Sequence, residues 1–186
     1  MLDLDLDAAS EAVTSLPWVE SAVVERSWPG TVTVDVVRRL PVALLPAGDG
    51  TGVIIDAEGI AISRAAVAVT GDLPVITVTA SGDLGEVQTF ALPAVEVVQL
   101  VPDDLAPWIE TFGIDYDGNE AGELVLDLIG SAEAELGHAT DLAAKLDALR
   151  TVLGRVDRTC ITLIDLRVAE LPGVQRDPTC DIAPAE

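Results

Sequence analysis

Apolar residues recur along this chain at two periods, and the switches between them predict its elements. Residues 7–16 place Ala9, Ala12, Val13 and Leu16 on one helical face, with Asp7 positioned to cap the first amides and Pro17 to stop the turn. Alternation then takes over. Residues 22–26 read as a strand, Trp28-Pro29-Gly30 as a turn, and residues 31–37, with Val32, Val34 and Val36 on one side, as the returning strand. Pro41 and the Pro- and Gly-rich stretch 46–52 predict a domain boundary. Beyond it the pattern gives short strands over 53–56 and 60–63 joined at Ala57-Glu58-Gly59, a strand over 75–79, and a hairpin of 109–116 with 124–129 around an Asp-Gly-Asn loop. Residues 94–100 fit helix or strand by periodicity alone.

The clearest helix spans 141–153, with Thr140 as its cap, Leu142, Leu146, Leu149 and Leu153 on one face, and Gly154 as its terminator. No element is predicted between residues 129 and 141. Strands over 159–167 and 174–176, separated by Leu171-Pro172-Gly173, complete the chain. A helix and hairpin followed by mostly antiparallel strands with one late amphipathic helix is an α+β order, not a βαβ alternation.

Composition sets the palette and removes whole function classes. Hydrophobic residues make up 49% of the 186, but aromatics only 3%, so the interior is built from Val, Leu, Ile and Ala. Ten Lys and Arg residues stand against 32 Asp and Glu, a formal net charge of -22. No face of such a chain neutralises a phosphate backbone, which argues against nucleic-acid binding and against adhesion to anionic lipid through a basic patch. The longest apolar stretches, 60–69 and 91–101, are broken by Arg64 or by Pro93 and Glu96, well short of the roughly 18–20 apolar residues that cross a bilayer. Met1-Leu2-Asp3-Leu4-Asp5-Leu6-Asp7 is acidic where a signal peptide is basic. The chain by itself is expected to be soluble.

Candidate chemistry is sparse. Asp115-Tyr116-Asp117-Gly118-Asn119-Glu120 has the look of a calcium loop, but the required Gly and terminal carboxylate positions hold Glu120 and Leu126, so a hairpin turn fits better. His138 is the one histidine, and no Gly-x-Ser-x-Gly elbow accompanies it; an exposed structural role is expected. A zinc site of His138, Cys160 and Cys180 lacks the paired short spacings of such sites. The residues therefore support no catalytic site, metal or cofactor. Cys160 and Cys180 carry more. If the last hairpin turns through residues 168–172, Arg167 faces Gly173 and Cys160 falls opposite Cys180, which makes a cross-strand disulfide geometrically feasible; free thiols are the alternative.

Several segments, in order from about Leu16 to Arg176, resemble the FtsQ/DivIB family of bacterial cell-division proteins. Leu16-Pro17-Trp18-Val19, Ala22-Val23-Val24-Glu25-Arg26 and Trp28-Pro29 resemble the last helix and hairpin of its POTRA domain, with Pro41-Val42-Ala43 following. Val53-Ile54-Ile55-Asp56 with Gly59 resembles the opening of its second, β-rich domain. Asp141-Leu142, Lys145-Leu146 and Leu149 resemble its late helix, and Ile164-Asp165-Leu166-Arg167 its penultimate strand. Trp18 and Trp28 are then expected as core residues packing helix onto hairpin. Arg38 stands where the family usually has Glu, and Val168 where some members have an aromatic.

The resemblance implies a partial POTRA domain over 1–46, a β domain over 47–180 and a disordered tail over 181–186. It implies a cytoplasmic tail, a membrane-spanning helix and the first POTRA elements ahead of the region present, so that membrane attachment belongs to that missing amino-terminal helix. The function implied is a non-enzymatic scaffold on the extracytoplasmic face of the membrane at the division septum, binding partners of the FtsB and FtsL type. Strand addition to the carboxy-terminal sheet edge supplies a mechanism, with Arg167, Val168, Val174, Gln175 and Arg176 as the partner-binding residues. Alternatives are another POTRA-bearing scaffold, or an acidic secreted hydrolase, which would need a cleft of converging carboxylates with raised pKa.

Overall fold

A computed structural model describes residues 5–71, 73–80, 82–116 and 122–180. Its contacts divide the chain into two compact units, Met1–Leu73 with Thr79–Thr89, and Pro74–Val78 with Phe90–Glu186. The architecture is α+β, as the hydrophobic pattern predicts.

The first unit begins with α1, Leu6–Thr14. Its cap is Asp5 and not Asp7: the Asp5 carboxylate accepts the amides of Asp7 and Ala8, two residues earlier than expected, because a cap must reach the second and third helical amides. The hairpin follows as β1 (Val19–Ser27) and β2 (Thr31–Arg38), antiparallel with Val24 opposite Val34. Ser10 of α1 donates to the Ala22 carbonyl at 2.8 Å, seating the helix on the strand. The expected packing role of the two tryptophans does not hold. Trp28 is 86% exposed at the hairpin tip, and Trp18 lies open with Arg38 above its ring at 5.9 Å. Val19 is what the hairpin buries, at the base where β1 begins.

Next come β3 (Ala43–Pro46), β4 (Thr51–Ile55) and β5 (Ala61–Ala66), a meander in which β4 pairs with both neighbours. The stretch expected as a boundary is thus a hairpin turn. Pro46 pairs with Gly52, and Asp49 closes the loop by accepting the amide and hydroxyl of Thr51. Ala43, Leu44, Leu45, Val53, Ile55 and Ala61 form this core. At its margin Arg39 donates to Asp56 at 2.7 Å, and the other Asp56 oxygen accepts the amides of Glu58 and Ile60, which folds the turn into β5.

In the second unit the strands run in the order β6 (Val75–Ile76), β7 (Ile109–Asp115), β8 (Glu123–Leu128), β9 (Ala132–Gly137), β10 (Ile161–Asp165) and β11 (Gly173–Arg176). β6 with β7 and β9 with β10 are parallel, and the remaining pairs antiparallel. Residues 94–100 resolve as helix, within α2 (Leu92–Leu100), because Pro93 sits at its first turn where its missing N–H costs nothing. α3 (Leu142–Arg155) buries Leu142, Leu146, Leu149 and Val152. Thr140 does not cap it; Asp141, in a left-handed conformation, holds that position without a side-chain bond. Gly154 lies inside the last turn, which continues to Arg155. Lys145 is buried too, and its Nζ donates to the His138 carbonyl at 2.9 Å, so that the helix closes the loop after β9. His138 itself is exposed. Residues 117–121, which include most of the supposed calcium loop, and the tail 181–186 lie outside the described residues.

Candidate partner-binding edge

The last two strands show how the sheet ends. β10 is central, parallel to β9 on one side and antiparallel to β11 on the other. β11 pairs with β10 alone and stands last in the strand order, so its outer row of backbone groups has no ladder partner among the described residues.

The hairpin register differs from the expected one. Gly173 faces Asp165, not Arg167, and Val174 faces Ile164. The chain leaves β11's ladder two residues early because Leu166 turns back to β9, donating to the Glu135 carbonyl at 2.8 Å and burying its side chain completely. The connection is therefore longer, over 166–172. An irregularity between Ile161 and Leu163 also shifts the far end, so Cys160 meets Asp177, whose amide donates to the Cys160 carbonyl at 2.9 Å. Cys160 and Cys180 are disulfide-bonded with Cα atoms 5.9 Å apart, the turn 177–180 bringing Cys180 back toward the ladder.

The five candidate residues all lie on this hairpin, but they do different things. Val174 is half-buried and Gln175 exposed on β11. Val168 is 54% exposed in the connection. Arg176 is engaged with its own chain: its guanidinium donates to the carbonyls of Thr159 and Asp157 at 3.2 and 2.7 Å, tying β11 to the loop before β10. Arg167 leans the other way. It forks onto Asp165, Nε to Oδ1 at 3.0 Å and NH2 to Oδ2 at 2.6 Å, with Glu135 of β9 at 3.7 Å. Its stem crosses Gly137, where a Cβ would sit 2.9 Å from the Arg167 Cγ and where φ is +65°. β9 and β11 flank β10 on opposite sides, so Arg167 projects away from the free border of β11.

These contacts set the local electrostatics. The Arg167 hydrogen bonds hold the Asp165 carboxyl below the usual carboxylate range and push the Arg167 guanidinium further up. The sequence pattern did not single out Asp165, Glu135 or Gly137 as partners of Arg167. Asp-x-Arg was the available signal, since an Asp side chain readily accepts the amide two residues on, as here at 3.1 Å. Leu171, part of the expected turn, is 79% exposed in the same connection. Among the described residues no group of three or more His, Cys, Asp or Glu side chains is placed to hold a metal ion.

The description "POTRA domain, FtsQ-type" matches residues 1–39, and "Cell division protein FtsQ/DivIB, C-terminal" matches residues 43–167. The chain belongs to the FtsQ/DivIB family. Cell division protein FtsQ of Corynebacterium glutamicum is 31% identical over 153 residues, covering 82% of this chain and 65% of that protein. The same-named protein of Bordetella pertussis is 51% identical over 41 residues, 22% of this chain and 15% of its own length. That of Mycobacteroides abscessus is 40% identical over 60 residues, 32% and 19% respectively. The chain thus spans 65% or less of the length of each of these curated relatives. The FtsQ/DivIB match ends at Arg167, the residue whose guanidinium bridges β9 and the end of β10. Among the described residues no helix is long and apolar enough to cross a membrane.

Proposed function

We propose that this chain is a non-enzymatic scaffold of the division machinery, acting on the extracytoplasmic face of the membrane at the septum and binding partners of the FtsB and FtsL type. Membership of the FtsQ/DivIB family supports the setting, and the unpaired border of β11 supports the mechanism. A partner strand laid against Gly173–Arg176 would continue the sheet, with main-chain hydrogen bonds giving affinity and alternate side chains giving choice. Val174 and Gln175 meet that strand directly. Val168 and Arg167 are reached only by a partner that continues past the end of β10, and Arg167 must share its fork between Asp165 and an incoming carboxylate. Arg176 serves by holding β11 in place. In this reading the POTRA-type recruitment module lies within residues 1–46 and gives way to the partner-binding domain ahead of β3, which ladders with β4.

The carrying observation is that β11 ends the sheet with one neighbour. Val174→Pro removes an N–H and fixes φ on that strand, and should weaken calorimetric binding to an FtsB-type partner by about tenfold or more. Arg167→Glu should weaken it less. A thermal melt checks that each variant stays folded. Wild-type affinity in a folded Val174→Pro protein would remove strand addition as the mechanism.

A further inference from the structure

A second surface of the carboxy-terminal unit lies near the start of β10, at the opposite end from the 166–172 connection. An open recess of about 50 Å³ is lined there by Trp108, Ile129, Leu153, Ile161 and Arg158. The chain geometry explains why it stays open. Ile129 donates its amide to the Trp108 carbonyl at 3.0 Å, and the next two residues, Gly130 at φ +95° and Ser131 at φ +66°, turn the chain sharply into β9. Ile129 is thereby left outside the ladder on the recess rim, 56% exposed.

Arg158 forms the polar wall. Its Cζ stands over the Trp108 ring, 4.1 Å from the centroid, a cation–π contact. The N–H groups lie in the guanidinium plane and stay available to a bidentate acceptor. Among the described residues none takes them: Arg158 has no ion pair and no side-chain hydrogen bond. Asp157 accepts the amide and hydroxyl of Thr159, and its carboxyl also feels the charges of Arg176 and Arg158 without a hydrogen bond to Arg158. The apolar hollow is thus bordered by an arginine whose N–H groups no described side chain fills.

We propose that this recess docks a partner polypeptide through an aliphatic side chain set next to an acidic one. The aliphatic group fills the space between Trp108, Ile129 and Leu153, and the carboxylate takes the in-plane N–H edge of Arg158. Charge complementarity to Arg158 selects the occupant: a carboxylate set beside the aliphatic group takes donors that no described side chain fills, which fixes the orientation of the segment. The surface is separate from the β11 border and does not depend on strand addition.

The test uses the full chain and the capped dipeptide acetyl-Leu-Asp-amide, titrated while the Trp108 indole and Ile129 amide are followed by two-dimensional NMR. Saturable shifts at both groups are expected, with acetyl-Leu-Asn-amide binding about tenfold more weakly because it offers no charge-assisted hydrogen bond. Arg158→Gln should erase the preference for Asp over Asn in a protein whose spectrum otherwise stays native. Equal response to the two peptides, no shift at these groups, or a preference that survives Arg158→Gln overturns the proposal. So does self-association in sedimentation velocity that Arg158→Glu abolishes, since the recess would then belong to a second copy of this chain. The titration should be unchanged in Val174→Pro, so its outcome is independent of the edge mechanism.

Discussion

The hairpin of β1 and β2 and the sheet of the carboxy-terminal unit are written in the same alternating code, yet they bury very different amounts. Along the hairpin Val23, Val32, Val34 and Val37 are all 43% exposed or more, and Val19 alone is buried. In β8 the alternation of Leu124, Leu126 and Leu128 leaves none above 3%. The difference is the covering layer. α1 is nine residues long and buries none of its own side chains, whereas α3 runs for 14 residues and contributes Leu142, Leu146, Leu149 and Val152 to the core. An alternating pattern states which face a strand offers; a second layer decides whether that face leaves water.

Two truncations set that contrast at its widest. Leu149→Ala removes a side chain with no exposure from the α3 core and should cost about 4 kcal/mol in denaturant unfolding, transfer and cavity terms together. Val34→Ala on the hairpin, at 46% exposure, should cost no more than about 0.5 kcal/mol. Equal costs would mean that the hairpin is covered in solution.

Asp56→Ala sharpens the comparison from the polar side. The hairpin leads into Arg39, whose amide donates to the Trp18 carbonyl while its guanidinium bonds Asp56, a carboxylate only 3% exposed. Polar contacts thus fix the base of the hairpin where apolar packing is thin. Removing the carboxylate strands the partly buried Arg39 and frees the amides of Glu58 and Ile60, for a loss of about 3 kcal/mol. Asp56→Asn, which keeps an acceptor for those amides, should lose less. A loss below about 1 kcal/mol for Asp56→Ala would show that water readily replaces the pair.

The sequence made the periodic parts of this fold legible and hid the parts fixed by distant partners. α3 announced itself through Leu142, Leu146 and Leu149, and the β7–β8 hairpin through its alternation and loop. β9 did not: Ala-Glu-Ala-Glu-Leu-Gly has little strand propensity and is extended because β8 and β10 pair with it on both sides. β3 was hidden by Pro41 and Pro46, read as punctuation although Pro46 closes a strand and pairs with Gly52. At the candidate edge, the final strand and its residues were readable, but the register was not. That depended on Leu166 leaving β10 to bond Glu135, a choice made by a strand some thirty residues away in sequence and invisible to local pattern.

The smallest effect expected is also the most local, and it again separates the two regions. Asp49-Gly50-Thr51, Asp157-Arg158-Thr159 and Asp177-Pro178-Thr179 share one device, an Asp oxygen accepting both the amide and the hydroxyl of the Thr two residues on. These hydrogen bonds hold all three carboxyls below the ordinary value of 3.8. A depressed pKa in the folded state means that the stabilisation is fully present above the unfolded value and fades as pH falls through the folded one. One such turn closes the β3–β4 loop, while each of the other two immediately precedes a cysteine of the disulfide, Cys160 or Cys180. Acidification from pH 5 should therefore shift the Thr51, Thr159 and Thr179 amides with midpoints below 3.8. Reducing the disulfide should raise the Thr159 and Thr179 midpoints toward the ordinary value and leave Thr51 where it was, because only those two turns lean on the cross-link. Three midpoints at the ordinary value from the outset would show that the Asp–Thr bonds do not persist in water.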